Sequence, residues 1–481
     1  MNYEDVMNLA VRRGFFFRAV DSYPNTPAGF WDYGPLGVAF KNRYLNLWRR
    51  YLVKRDEMLE IDTVQIMPKA VFVASGHLSN FTDPKVECSK CHTIYRADKV
   101  IEEKVKHAVP EGLKDSEYDA LLAENHVLCS NCKNPLSGTK RFNMMFRVGI
   151  GPQEEEAYLR PETAQGIFVD VPLLFKTQRI KLPKGIAQVG KSFRNEIAPR
   201  QGILRLRELN QAEIEVLFNP EKVDLPKFGA ALDYKLNIAQ GDVEPTPISV
   251  SEAVAQGVIP HKLIGYYLHL IQSFYEKVGI PSSAIRLRKL GDDEKAFYSS
   301  VAFDLEVRTS GGWLELVACN YRSDYDLTRH AEVSKTDFTV DDEGVKVLPH
   351  IFELSMGIDR SLFALLESAY RVEGERTYLA LKPAVAPIQV GVFPLMGKDG
   401  LPEEAKKVYE LIRDDFEAAY DEGGSIGRRY ARSDEAGIPF CVTVDQETLK
   451  EGTVTVRERD TKGQVKVKVN ELPGWLASQT R

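Results

Sequence analysis

Residues 193–215 read FRNEIAPRQGILRLRELNQAEIE, and this stretch decides the fold. It predicts two strands joined by a turn. Strand side chains alternate in direction. Arg194 and Glu196 then share one face of the first strand, and Arg205, Arg207, Leu209, Gln211 and Glu213 share one face of the second. Ala198, Pro199, Arg200, Gln201 and Gly202 supply turn chemistry between them. The other side of the second strand carries Leu204, Leu206, Ala212 and Ile214, which read as a core face. Arginine's planar fork suits phosphate, and carboxylates suit exocyclic amines. Two readings stand for such a hairpin: a grip on an anion together with a base edge, or a solvated face of salt-bridged charges.

Outward from the hairpin, residues 1–85 read as helix, loop, long helix and strand. In the helix of residues 38–54, Phe40, Leu45, Trp48, Tyr51 and Leu52 are core candidates, and residues 62–67 read as a strand stopped by Pro68. Residues 86–140 interrupt with two cysteine pairs around an acidic helical middle. Strands resume near Phe142, and residues 301–330 and 349–353 are further strands, with a helix at about 357–369. These parts make one domain, residues 1–85 and 141–375. Residues 220–305 read as an insertion of unknown role within it, with a helix near 262–277. A boundary falls at 375–386. Residues 386–481 then alternate strands with helices, including one over 403–420 and another over 428–435, as a small α/β domain does.

The 481 residues are 43% hydrophobic and 27% charged, which excludes a disordered chain. No apolar run is long enough for a bilayer, and the first residues do not read as a secretion signal, so a cytoplasmic protein is expected. Lys+Arg 63 against Asp+Glu 69 leaves a net charge of -6. A polyanionic partner must therefore be met by a local basic surface.

Four of the six cysteines form two C-x-x-C pairs, Cys88/Cys91 and Cys129/Cys132. Duplicated pairs point to four thiolates around a structural zinc, with a redox dithiol as the competing reading. His92 and His126 lie nearby, but four sulfurs already complete the shell. Cys319 and Cys441 sit alone in apolar strands, as small buried hydrophobes.

Three segments in order carry a family resemblance: GFWDYGPLGVAFKNRYLNLW with Pro68 downstream, the RNE hairpin, and LPHIFELSMGIDRSLFALL. They resemble the three motifs of class II aminoacyl-tRNA synthetases. DYGPLG, ASGH, RPETAQGIF, RNEIAPRQG, QAEIE, RSDYDL, APIQVGVFPL and DEAGIPFCVTVD narrow the resemblance to the glycyl-tRNA synthetases of the α2 type. It covers nearly all of the chain except 220–305. The resemblance implies an α+β fold, an antiparallel sheet flanked by helices, and no Rossmann domain. No phosphate-cradling glycine loop occurs in the sequence, which agrees. The implied activity is ATP-dependent attachment of glycine to tRNA(Gly) through glycyl-adenylate, with magnesium. A homodimer built on the 38–54 helix and the strand before Pro68 is also implied. Two other readings remain: an RNA-binding zinc-ribbon protein with an inactive core, and a related synthetase for threonine, proline or histidine.

Activation joins two anions, so cationic clamping must supply much of the rate. By resemblance, Arg194 and Arg360 would hold phosphates, Glu196 would accept from the adenine amine, and Arg205 and Arg207 would hold the bent triphosphate. The same motifs place Asn195, Leu204, Leu206, Glu208 and Leu209 at ATP, as well as Leu316 and the run Gly357, Ile358, Asp359. Glu315 would hold magnesium. A first-turn pair of Arg360 with Asp359 is the alternative role for that arginine. Glycine would meet Arg96, Glu162, Arg322, Glu353 and Ser355, and the run Leu209, Asn210, Gln211, Ala212, Glu213. An ion pair of Glu162 with Arg160 is the competing reading there. The family has an aromatic where Leu209 stands, so the usual adenine-stacking ring is missing. Arg428, Arg429, Tyr430 and Arg432 combine cations with a ring, which suits unstacked anticodon bases. Lys466 and Lys468 share a strand face and suit phosphate. A solvated basic face is the alternative for all of these.

Overall fold

The computed structural model describes residues 2–107, 109–110, 112–199 and 201–480; Arg200, read above as part of the turn, lies outside them. A nine-stranded sheet organises the larger domain. In chain order its strands are β1 (Leu59–Ile61), β2 (Lys184–Phe193), β3 (Glu208–Phe218), β4 (Lys235–Gln240), β5 (Thr246–Ser249), β6 (Ile285–Lys289), β7 (Val301–Thr309), β8 (Gly312–Ser323) and β9 (His350–Gly357). In space they lie in the order β5-β4-β6-β7-β8-β9-β3-β2-β1. Neighbours run antiparallel except β1 on β2 and β4 on β6. The helices used below are α1 (Tyr3–Arg12), α2 (Pro35–Trp48), α3 (Ala164–Gln178), α4 (Lys262–Val278), α5 (Tyr325–Ser334) and α6 (Ile358–Ala369).

Alternation along the central strands gives the sheet two unlike faces. Ala212, Ile214 and Val216 of β3, Val317 and Cys319 of β8, and Phe352, Leu354 and Met356 of β9 all enter one hydrophobic core. Helices α2, α4 and α6 cover that side, giving Phe40, Leu45 and Trp48, then Leu263, Tyr267 and Phe274, then Leu362 and Leu366. Each such side chain contributes roughly 2 kcal/mol of burial, so this face is strongly specified. The remaining side chains of the same strands, many of them charged, point the other way.

Residues 220–305, expected as an insertion, run through the outer part of the same sheet. They supply β4, β5 and β6, and α4 packs its apolar stripe on the core. Of the strand expected over 62–67, only Ile66 and Met67 are strand residues. Leu59–Ile61 joins β2, and Ile66–Pro68 pairs with Glu155–Leu159. Residues between Thr82–Glu87 and Lys140–Asn143 form a small unit with its own three-stranded sheet and its own core around Val86, Ile101 and Tyr118.

The C-terminal part holds a five-stranded sheet with a separate core of Val390, Val392, Val442, Val444 and Leu472, among others. The helix expected over 403–420 spans Leu401–Ile412, and Ala418–Tyr420 is a strand paired parallel to Val390–Pro394. Among the described residues, no helix is long and apolar enough to cross a membrane.

Candidate active site

Strand register builds polar rows on the sheet face away from the core. Glu213 on β3 lies opposite Ser355 on β9, and Ser355 lies opposite Ala318 on β8. In the next row Glu215, Glu353 and Asn320 are aligned the same way. A cleft opens over these rows with about 920 Å³ of empty space, its mouth included. Arg194, Glu196, Leu204, Arg205, Leu206, Leu209 and Gln211 line it from the hairpin. Glu162 joins from the RPE segment, and Glu315, Leu316, Ala318 and Asn320 from β8. Glu353, Ser355, Gly357, Asp359 and Arg360 complete it from β9 and α6, with Tyr298 above.

The hairpin departs from its expected geometry. β2 ends at Phe193 and β3 begins at Glu208, so Arg194, Glu196, Arg205 and Arg207 stand on the connection rather than on strands. Arg194 N still donates to Arg207 O at 2.9 Å, but Arg207 N donates to Gly29 O at 2.9 Å and Tyr3 OH donates to Gln201 O at 3.1 Å. The N-terminal segment thus shapes the connection; Leu206, expected in the core, lines the cleft, and Leu204 lines it while packing against the core. Arg207 is turned away from it. Its fork donates to Glu196 O at 3.0 and 2.7 Å and to Ala28 O at 2.7 Å. Glu208 pairs with Lys191, and Asn195 and Ile358 also stay outside the lining.

Three guanidinium groups face the cleft. Arg194 Nε donates to Pro161 O at 3.1 Å, with its fork 5.7 Å over the Phe81 ring. Arg205 Nε and Nη2 approach Glu196 Oε2 at 2.7 and 2.5 Å. Arg360 Nε donates to Leu204 O at 3.0 Å, and Nη1 meets Glu315 O at 3.2 Å and Oε2 at 3.1 Å. Asp359 does not pair with Arg360. It accepts from Asn210 N at 2.7 Å, from Asn210 Nδ2 at 2.9 Å, and from the Tyr33 hydroxyl. Arg96 stays outside the lining, donating to Asp98 at 3.0 and 2.5 Å. It meets the site through Asp83, which lies 3.2 Å from Arg96 and 3.8 Å from Arg205. Burial pushes the Asp83 carboxyl up to about 6, against the pull of Arg96.

The cleft also holds a nest of carboxylates. Glu162, Gln211, Glu353 and Ser355 line it, while Glu213 and Arg322 are sealed one layer below at 0% and 1% exposure. Arg322 donates to Asp326 at 2.6 and 2.8 Å and to Glu353 at 2.9 Å, and lies 3.6 Å from Glu162. Its fork sits 3.7 Å over the Tyr298 ring. Burial pushes the Glu353 carboxyl up to about 7, with Arg322 pulling down and Glu162 and Glu213 pushing up. Burial would raise Glu162 too, but His77 and Arg322 beside it hold it well below the usual carboxylate range. Glu213 accepts from Thr163 at 2.5 Å, from Gln211 at 3.1 Å and from Ser355. Arg160 donates to Lys191 O, Thr63 O and Val64 O, and is not the partner of Glu162. Asn210 and Ala212 lie on the other face of β3.

Several residues here escaped the sequence reading. Tyr298 lies in the stretch where no chemistry was legible. His77 sits within a matched segment, 3.7 Å from Glu162. Asp326 stands four residues after Arg322, across the junction from β8 into α5 and within the same RSDYDL segment. Glu215 is fully buried, and neither carboxyl oxygen has a hydrogen-bond partner. Burial first, then Glu353, pushes its carboxyl far above the usual range, which favours the neutral acid.

The sulfurs of Cys88, Cys91, Cys129 and Cys132 lie within 4.8 Å of one another, with the Cys88–Cys132 pair at 3.4 Å. Thiolates about 2.3 Å from a tetrahedral ion stand roughly 3.8 Å apart, so this set can hold one metal. His92 turns away to Glu87 at 2.9 Å. Cys319 and Cys441 are both buried, Cys319 within the apolar core and Cys441 beside Ser433.

On the C-terminal helix Ile426–Glu435, Arg428 is exposed and Arg432 meets Asp421 at 2.6 Å. Tyr430 is half-buried with its hydroxyl 2.6 Å from Thr443 Oγ1. Arg429, expected to reach RNA, is 2% exposed and braces the carbonyls of Pro394, Leu395, Asp421 and Gly424. A loop-bracing arginine and an RNA-reading one look alike in sequence. Lys466 pairs with Glu447, and Lys468 is exposed.

Residues 389–479 match the family described as anticodon binding domain. Over its whole length the chain is 37% identical to the glycine–tRNA ligase of Methanocaldococcus jannaschii, with 99% of that protein covered. It is 38% identical to that of Methanothrix thermoacetophila, over 97% of this chain and 95% of the relative. It is 37% identical to that of Pyrococcus furiosus, over 98% of each. The fold is similar to that of a prolyl-tRNA synthetase from Cryptosporidium parvum, with a TM-score of 0.59 and 12% identity over 99% of this chain and 74% of that one.

Proposed function

The chain belongs to the glycine–tRNA ligase family, and from that premise we propose that its cleft joins glycine to ATP as glycyl-adenylate and passes the glycyl group to tRNA(Gly). The observation that carries this reading is the meeting of two chemistries in one cleft. Guanidinium groups of Arg194, Arg205 and Arg360 line it together with Glu162, Glu353 and Ser355.

The forks suit a bent triphosphate, whose attack by a carboxylate needs its charge offset. Glu196 suits the adenine amine once Arg205 moves to phosphate, and Leu204, Leu206 and Leu209 give the base an apolar wall. Arg207 supports the hairpin from behind, holding Glu196 O and Ala28 O. Glu315 is the carboxylate for magnesium, which when bound would offset phosphate charge. Glu162 and Glu353 suit the ammonium of glycine. Ala318 and Ser355 stand opposite each other on the floor, and a larger amino acid would meet these walls or leave a buried carboxylate unpaired.

The four cysteines suit a structural zinc, whose role when bound is to tie the two C-x-x-C turns together. The C-terminal domain is the reader of the anticodon, with Arg428, Tyr430 and Arg432 as its candidate contacts. A homodimer through α2 and a cytoplasmic location complete the reading. Charging of a tRNA(Gly) transcript tests it. Glycine should be attached in an ATP-dependent reaction that weakens when the anticodon bases are exchanged. A transcript that stays uncharged with glycine would refute the activity, and sedimentation as a monomer at micromolar concentration would refute the dimer.

A further inference from the structure

The C-terminal helix Ile426–Glu435 is charged against its own dipole. Arg428 and Arg429 stand near its N-terminus, and Asp434 and Glu435 end it. Cations are unfavourable at the first end and carboxylates at the second. Arginines from outside the helix meet these acids. Glu435, its side chain 19% exposed, lies 3.0 Å from Arg12 Nη2 at the end of α1. Arg13, the next residue, donates through Nε to its other oxygen at 2.5 Å. Asp434 is 2% exposed and accepts from Arg376 Nε at 2.8 Å and from Arg457 at 2.9 and 3.0 Å. Arg457 belongs to the five-stranded sheet of the same domain, but Arg12 and Arg13 come from the larger domain. Arg376 opens the strand Arg376–Leu379, whose last residue enters the core of the larger domain.

The other end of α1 is fixed beside the cleft. Tyr3 donates to Gln201 O of the hairpin connection at 3.1 Å, and its ring lies 5.0 Å from that of Phe363 in α6, one turn after Arg360. Val6, Leu9 and Ala10 are buried in the core between these contacts. Ten residues long, α1 spans about 15 Å. One packed helix thus runs from the hairpin connection of the larger domain to the last residue of the C-terminal helix, across two separate cores.

We propose that Asp434 and Glu435 form a docking latch, gripped by Arg12, Arg13 and Arg376, that fixes where Arg428, Tyr430 and Arg432 stand relative to the cleft. The proposal rests on the reading of the C-terminal domain as the reader of the anticodon. Glu435, Arg12 and Arg13 act through the helix, so they are positioning residues. A tRNA that must reach the cleft and the anticodon helix together gains from having the two already set. An RNA fragment that touches the helix alone is indifferent to the latch.

Glu435→Lys in the full chain tests this. Lysine suits a helix C-terminus better than glutamate does, and a cation added near RNA favours binding. Neither a melted helix nor repulsion of RNA can then produce a loss. Arg12 and Arg13 meet the new ammonium as like charge, and the helix undocks. Because hydrogen bonds between charged groups are lost, kcat/KM for charging a tRNA(Gly) transcript should fall about tenfold. Glycine-dependent pyrophosphate exchange without tRNA, and the affinity for an anticodon stem-loop RNA, should stay within about twofold of wild type. The charge-reversed variant R12E/R13E/E435K should recover most of the lost charging. Unchanged charging by E435K, or a triple variant no better than E435K, would overturn the latch. Stem-loop affinity that falls as far as charging would reveal a merely structural role and overturn it too. A wild-type chain that charges the transcript yet binds no stem-loop would overturn the anticodon reading, and the latch with it.

Discussion

Arg322→Met would leave Asp326, Glu353 and Glu162 without the guanidinium they share. Arg322 is 1% exposed, and its bonds at 2.6, 2.8 and 2.9 Å reach two carboxylates that are themselves at most 1% exposed. Breaking a buried charge network by removing one partner costs about 3–5 kcal/mol. Methionine refills most of the volume against Tyr298 and Phe168, so a cavity adds little. The loss is a large share of a typical stability of about 5–15 kcal/mol. At roughly 2–4 °C per kcal/mol, the unfolding midpoint of the larger domain should fall by about 10 °C. The sign of its pH dependence is also fixed. Without the cation Glu162 and Glu353 are easier to protonate, and protonation removes unpaired charge. The deficit should therefore be larger at pH 8 than at pH 5.5. Scanning calorimetry of wild type and variant at both pH values measures it. A deficit below about 1 kcal/mol, or one that is equal at both pH values, would refute the reasoning.

Leu209→Phe restores a π-face worth about 0.5–1.5 kcal/mol, so the ATP KM should fall roughly two- to tenfold with glycine KM unchanged; an unchanged or higher ATP KM sinks this. Because burial and like charge hold Glu353 at about 7, acid below that value neutralises the partner of the ammonium. Glycine KM in pyrophosphate exchange should then rise by up to about tenfold per pH unit below 7, and a flat profile from pH 5.5 to 8 counts against it. Glu215, whose folded carboxyl sits far above its unfolded value, contributes stability below about pH 4.3 that is lost as pH rises. Glu215→Gln copies the neutral acid, so stability at pH 7 should not fall by more than about 1 kcal/mol; a loss above 3 would mean that the native group is ionised. Metal analysis should find one zinc per chain, and Cys91→Ser should lose it and expose the core around Tyr118 to proteolysis. A metal-free chain with an intact 86–140 segment would exclude the zinc.

What sequence could deliver followed from the range of each interaction. The cysteine pairs are local, and their spacing alone brought the four sulfurs together. The antiparallel sheet was implied by the family resemblance, and in the fold the segment HIFELSMG alternates between the core and the cleft face. Of the three hairpin arginines, Arg194 and Arg205 line the cleft and Arg207 does not. A period of two was extended through residues 194–207, whose path is set by Tyr3, Ala28 and Gly29 from the far end of the chain. Contacts across that distance leave no trace in spacing, so Arg207 looked like a phosphate ligand. Glu213 and Arg322, expected to meet glycine, are buried and reach the cleft lining through Ser355 and Glu353. Tyr298 and Glu215 were invisible. A ring over a guanidinium and an unpartnered acid both depend on which strands become neighbours.

Pyrophosphate exchange driven by single amino acids tests the central claim most directly, because it needs both chemistries of the cleft at once and no tRNA. Glycine should support exchange, alanine and serine should support essentially none, and Arg194→Ala or Arg360→Ala should abolish the glycine signal. Exchange with alanine at a rate comparable to glycine, or full exchange after loss of either arginine, would contradict a cramped carboxylate pocket joined to a guanidinium-walled nucleotide site.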